Sequence, residues 1–183
     1  MTDKPALTYP VPVLHLPQKG VIVKIGTDEK ERAALARTHG LEAVNAFDAE
    51  FLVTPWKRDG IRVRGKIAAE IVQACVVTLE PLINRIEEEV DTIFVPENSR
   101  LARIQLDESG EMLLDADGDD IPETFAGDRI DVGAVAEEFF ELAIDPYPRK
   151  PGLPEETAPL TFGDDENKPE SPFAKLAQLR DKT

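Results

Sequence analysis

The stretch Cys75-Val76-Val77-Thr78-Leu79-Glu80-Pro81 decides how its neighbours are read. An apolar run ends at Glu-Pro, a turn signal, and an alternating run follows. Upstream, Ile67, Ala69, Ile71, Gln73, Cys75, Val77 and Leu79 fall on one side of a strand. Downstream, Ile86, Val90 and Phe94 share one side of the next. A tight loop at Glu80-Pro81 pairs Cys75 with Ile86, Ile71 with Val90 and Ile67 with Phe94, apolar against apolar. This predicts a β-hairpin at the centre of the fold. Val72, Ala74 and Val76 point the other way, so this part needs cover on both faces, from a helix or from sheet closure.

Working towards the N-terminus, the period of two extends from Leu41, and runs at 51–56 and 61–63 flank Lys57-Arg58-Asp59-Gly60. Asp-Gly between strand-like runs signals a hairpin. A turn there sets Trp56 opposite Val63, Thr54 opposite Gly65 and Leu52 opposite Ile67, all on one side. Lys57, Arg62, Arg64 and Lys66 then share the face opposite Trp56. Residues 21–25 form a strand, and Val11, Val13 and Leu14, among prolines, suggest an edge segment. Between these strands Asp28 caps a helix, with Glu31 three residues on as a capping box requires and Gly40 closing it.

Towards the C-terminus, residues 98–128 read as a short hairpin around an acidic loop, with Leu101, Ile104, Leu106, Met112 and Leu113 as its apolar residues. Asp131 caps the clearest helix. Val132, Val135, Ala136, Phe139, Leu142 and Ala143 make its apolar stripe, Ile130 staples onto Val135, and Glu137, Glu138 and Glu141 take the solvent face. The prolines from Pro146 end it. The resulting division is one domain over 1–152, a proline-rich acidic linker over 153–170 and a short helix over 171–183, where Ser171-Pro172 is the start signal. The expected fold is α+β. A mainly antiparallel, curved sheet, or a partial barrel, packs on the 131–144 helix, with the 28–39 helix at one side.

The chain has 183 residues and a formal net charge of −15. Such a surface repels phosphates over a Debye length of about 10 Å, which argues against general coating of RNA or DNA. A basic protein partner or a locally basic patch stays open. A single cysteine excludes an internal disulfide and a Cys-rich zinc site. No run approaches the ~20 apolar residues of a membrane span, and the N-terminus has no signal pattern, so a cytoplasmic bacterial protein is expected.

No catalytic constellation stands out. Cys75 reads as a buried structural thiol, because His15 and His39 sit in no motif that would activate it. Asp115-Ala-Asp117-Gly-Asp119-Asp120 departs from a calcium loop: Gly118 precedes Asp119, and the twelfth position is Ala126. It reads as a solvated acidic loop or a lure for a basic partner. No cofactor or metal is expected. Lys57, Arg58, Arg62, Arg64 and Lys66 form the one basic cluster. Either they solubilise an exposed sheet face, or they make a docking patch for RNA or an acidic protein. Phe173, Leu176 and Leu179 lie along one face of the terminal helix, which either docks on its own domain or enters a partner's groove.

Three segments carry a resemblance: Cys75-Val-Val-Thr-Leu-Glu-Pro81 with the acidic strand 86–94; Ile130-Asp131-Val132 opening a helix that ends Leu142-Ala-Ile-Asp-Pro-Tyr-Pro-Arg-Lys-Pro-Gly152; and Ser171-Pro-Phe-Ala-Lys-Leu-Ala-Gln-Leu-Arg180. They resemble the YceD family, bacterial proteins linked to accumulation of large-subunit (23S) ribosomal RNA, in its alphaproteobacterial branch. The resemblance implies a non-enzymatic ribosome biogenesis factor. Its partner would be a ribosomal protein, an assembly factor or pre-ribosomal RNA, with no membrane and no DNA. Many relatives have a second cysteine three residues after the first, where this chain has Thr78, and further cysteines after the long helix, where it has Asp145-Pro-Tyr-Pro-Arg-Lys. Metal binding is therefore not carried over, and neither is any catalytic residue. The competing readings are a general acidic adaptor of chaperone type and an enzyme without a readable motif.

Overall fold

A computed structural model describes residues 5–102 and 122–152. The N-terminal arm forms β1 (Pro10–Pro12), then β2 (Val21–Gly26) leads into α1 (Glu29–Thr38). Three long strands follow: β3 (Ala43–Trp56), β4 (Gly60–Ala74) and β5 (Pro81–Pro96). A 3-10 turn (Arg100–Ala102) lies against β5, and β6 (Glu123–Phe125), β7 (Arg129–Asp131) and α2 (Val132–Ala143) complete the described chain. The main sheet has the order β2-β3-β4-β5-β6. It is antiparallel except for β5–β6, which run parallel, and it does not close into a barrel. β1 and β7 make a separate antiparallel pair. The α+β expectation therefore stands, in its open-sheet form. The 98–128 hairpin falls largely on residues outside the described ones, as do 153–170 and 171–183.

Local signals set the helices. Asp28 accepts from the Glu31 backbone, and the Glu31 side chain accepts from the Asp28 backbone. Both arms of the capping box are present. Gly40 follows with φ +65°, the left-handed conformation that ends helices. Asp131 caps α2 through Gly133 N and Ala134 N. Its apolar face is Val132, Val135, Ala136 and Phe140. Phe140, not Phe139, is fully buried, and Leu142 is 77% exposed. The predicted stripe had drifted from the core-facing line towards its edge.

Both hairpin registers differ from expectation. Trp56 meets Gly60 instead of Val63, three residues short, because residues 57–59 make the turn and Lys57 takes φ 51°. An odd shift turns a strand over. Hence Phe47, Ala49, Phe51 and Val53 face the core, while Leu52 lies on the open face and Thr54 and Trp56 are half-buried. A bulge between Val44 and Ala46 lets Val44 and Phe47 both point inward. In the second hairpin Ile86 meets Ala69 instead of Cys75, six residues short, because β4 stops at Ala74 and a loop intervenes. An even shift preserves faces, so Ile67, Ala69, Ile71, Ile86, Val90 and Phe94 are buried as expected.

The core lies on one side of the sheet, under α1, α2 and the arm. Phe47 packs edge-on against Phe140, with ring centroids 5.3 Å apart. Phe51 lies over Gly65, where a β-carbon would strike the ring and the Glu50 carbonyl. Glu137, expected in solvent, is 6% exposed. Its Oε2 accepts from Leu7 N at 2.9 Å, and its Oε1 lies 3.3 Å from Nε2 of buried His39. One carboxylate thus bonds the arm to α2 and lies against the end of α1.

Candidate functional site

The predicted basic residues lie on β4 and on the turn that precedes it. Arg62, Arg64 and Lys66 alternate onto the open face. That is the face of Trp56, not the opposite one, as the shifted register requires. Acids flank them on both sides. Register aligns Lys24, Glu50, Lys66 and Glu89 in one row across four strands, with signs alternating. Lys24 Nζ lies 2.7 Å from Glu50 Oε2, and this hydrogen bond, then its charge, holds the Glu50 carboxyl below its usual range. In the next row Asp91 accepts twice from Arg62, at 2.7 Å each, and once from Arg64 at 3.1 Å. The Arg62 hydrogen bonds are the largest cause of its lowered pKa. A sheet face legible as basic from one strand is thus a cross-strand ion-pair ladder.

The rest of the predicted basic cluster lies at the hairpin end. There two guanidinium groups share one carboxylate, and Lys57 and Arg58 occupy the exposed turn with Asp59. Lys57 Nζ sits 4.0 Å above the Trp56 ring, a cation–π contact. Beside this turn is a cleft of about 350 Å³ between the arm, the hairpin and the ends of β5 and β6. Its lining includes Leu14, Pro55 and Phe125, none of which the sequence singled out as a site. Four separate stretches of chain supply it, so no motif could announce it. Phe173, Leu176 and Leu179 lie outside the described residues.

The Cys75 loop is the second unusual feature. Cys75 lies just past β4 and is fully buried. Its N–H donates to Glu80 O at 2.8 Å, and Thr78 N donates to its Sγ at 3.5 Å. Hydrogen bonding from the Thr78 side chain, then from backbone amides including Thr78 and Lys150, brings the thiol down to about 7. The segment after α2 docks on the same loop: Val76 N donates to Pro148 O, Lys150 Nζ lies 2.6 Å from Glu80 Oε2, and Gln73 donates to Asp145 O. Thr78 and residues 145–150 therefore converge on the Cys75 loop. Among the described residues no group of three or more His, Cys, Asp or Glu side chains is placed to hold a metal. Leu79 takes φ 59°, a strained conformation for a branched side chain, and is 75% exposed. Val76, Val77, Ile83 and Tyr147 are also exposed near this end of the sheet.

No helix among the described residues is long and apolar enough to cross a membrane. A family model described as "Large ribosomal RNA subunit accumulation protein YceD" matches residues 63–180, more than half of the chain. No curated protein and no solved structure matches.

Proposed function

The chain belongs to the YceD family of large ribosomal RNA subunit accumulation proteins, and from that membership we propose that it acts by binding, without catalysing a reaction. In this reading it works in the cytoplasm and supports the synthesis, processing or stability of large-subunit ribosomal RNA. The observation that carries the proposal is the family match, which runs from β4 through the terminal segment.

The charge layout suggests how. At −15 the chain repels phosphates from most of its surface, so an RNA contact must be local. The hairpin end, with Lys57, Arg58, Arg62 and Arg64, is the surface suited to it. The acidic remainder suits a basic ribosomal protein or an assembly factor. The exposed apolar tip at Val76, Val77 and Leu79 favours a protein as the second partner. We assign the body of the molecule to 1–152, and to 171–183 a separate contact through Phe173, Leu176 and Leu179.

Deleting the gene tests the role. The ratio of large- to small-subunit ribosomal RNA should fall and return on complementation. An unchanged ratio would remove this chain from ribosomal RNA accumulation. Tagged protein captured from its own lysate, with and without RNase, then separates an RNA partner from a protein one.

A further inference from the structure

One edge of β5 pairs with β4 from Pro81 to Phe94. The other edge pairs with β6 at Phe94, Val95 and Pro96. Between 82 and 93 that second edge meets no strand and no loop backbone among the described residues. It is an open edge of about 40 Å. Its side chains include the run Glu87, Glu88, Glu89, Val90 and Asp91. Asp91 is taken up by Arg62 and Arg64. Glu89 has Lys66 opposite it, at the end of the ladder row, but Glu87 stands opposite Ala68 and Glu88 opposite Ile67. Neither carboxylate has a cation facing it from β4. Where β6 begins, Thr92 donates to Glu123 at 3.0 Å. Burial, with the Glu138 charge adding to it, raises the Glu123 carboxyl above its usual range. Negative charge along this edge is therefore in surplus.

We propose that the open edge of β5 receives an extended, lysine- and arginine-rich segment of a protein partner, added to the sheet as a further strand. This deepens the proposed function, resting on its claim that the chain acts by binding, and it names the edge that a basic protein would use. Unpaired N–H and C=O groups along an edge supply affinity for an extended chain, and the side chains beside them select which chain. A strand laid along 82–93 sets its own side chains beside Glu87 and Glu89 on the exposed face. Cations there pair across strands, and anions are repelled. A second copy of this chain would bring the same acids to the same edge, which disfavours self-pairing. β2, at the opposite edge of the sheet, carries Lys24 and no acid, so it does not suit a basic strand. RNA phosphates meet the same repulsion at β5 as any other anion.

The test uses the full chain and fluorescence anisotropy. The probe is a labelled peptide of about ten residues, lysine and threonine alternating, a length within the range of natural strands. Its comparator is the same peptide N-methylated at every residue, which keeps the charge and removes every backbone donor. The unmodified peptide should bind about ten-fold more tightly at equal salt, the scale of a few backbone hydrogen bonds. Glu87→Gln combined with Glu89→Gln should weaken it about five-fold, the scale of two cross-strand charge pairs. On binding, amide hydrogen exchange should slow over 82–93 and stay unchanged in β2. No binding, equal binding of the two peptides, a double variant that binds as the parent does, or protection gained elsewhere overturns the proposal. Displacement of the peptide by oligouridylate gives the edge to RNA and also overturns it. If the peptide fails while gene deletion still lowers the ribosomal RNA ratio, this inference falls and the family reading stands. If the peptide binds while deletion leaves the ratio unchanged, the ribosomal role falls and the strand site stands.

Discussion

At the scale of single residues, three positions do work that their chemical type does not advertise. Gly65 admits the Phe51 ring, and a β-carbon there would lie 2.7 Å from Phe51 Cδ1 and against the Glu50 carbonyl. Gly65→Ala should therefore destabilise the fold by about 1–3 kcal/mol in urea denaturation, as overpacking does. A glycine inside a strand did signal close approach, but not which residue approaches. Glu137 looked like a solvent-face glutamate because it sits among Glu138 and Glu141. Its burial depends on Leu7 and His39, far away in sequence, so periodicity along one helix could not reveal it. Glu137→Ala leaves the Leu7 N–H unpaired and should cost about 1–3 kcal/mol, read from the same denaturation curves. Cys75 was legible as buried, but its setting was not. Its thiolate absorbance should titrate near 7 and move upward in Thr78→Val, which removes the largest cause of the shift. The folded value lies below the unfolded one, so between the two the folded chain binds fewer protons. Stability should rise with pH across that window, relative to Cys75→Ser, and this gain should disappear as pH falls through about 7.

At the scale of elements, what is local was legible and what is relational was not. Asp28 with Glu31, and Asp131 before Val132, fix helix starts within a few residues, so both caps could be read directly. Strand registers depend on loop geometry. Phe51-Leu52-Val53 is apolar on both faces, so pattern alone could not choose a side of β3, and Lys57 at positive φ decided it. The basic residues of the candidate site were legible one by one. Their meaning was not, since Glu50, Glu89 and Asp91 reach them across strands. Lys66→Glu tests the ladder by placing three carboxylates in a row with Glu50 and Glu89. It should lower stability by about 1 kcal/mol at low salt, from two like-charge cross-strand contacts. Much of that loss should vanish at 1 M salt, where screening acts over about 3 Å.

At the scale of the whole molecule, the open sheet and the two α-helices among the described residues agree with the α+β reading, while the parallel β5–β6 pair and the cleft it helps to form were beyond reach. Both arise from segments joined only through tertiary structure. A chain ending at residue 152 should unfold cooperatively with an unchanged thermal midpoint if 1–152 is the folding unit. A lowered midpoint, measured by calorimetry, would move that boundary. The arm carries a consequence of a different kind. Leu7 N is held by Glu137, Tyr9 N by Asp131, and Val11 pairs with Ile130. These bonds join residues more than a hundred positions apart. Synthesis runs from the N-terminus, so the arm leaves the ribosome well before α2 and must wait for the carboxylates that hold it. Contacts of such long sequence separation form late and slow folding. Until translation passes residue 143, Leu7 and Val11 lack their partners on β7 and α2, and the nascent chain carries an adhesive segment through most of its own manufacture.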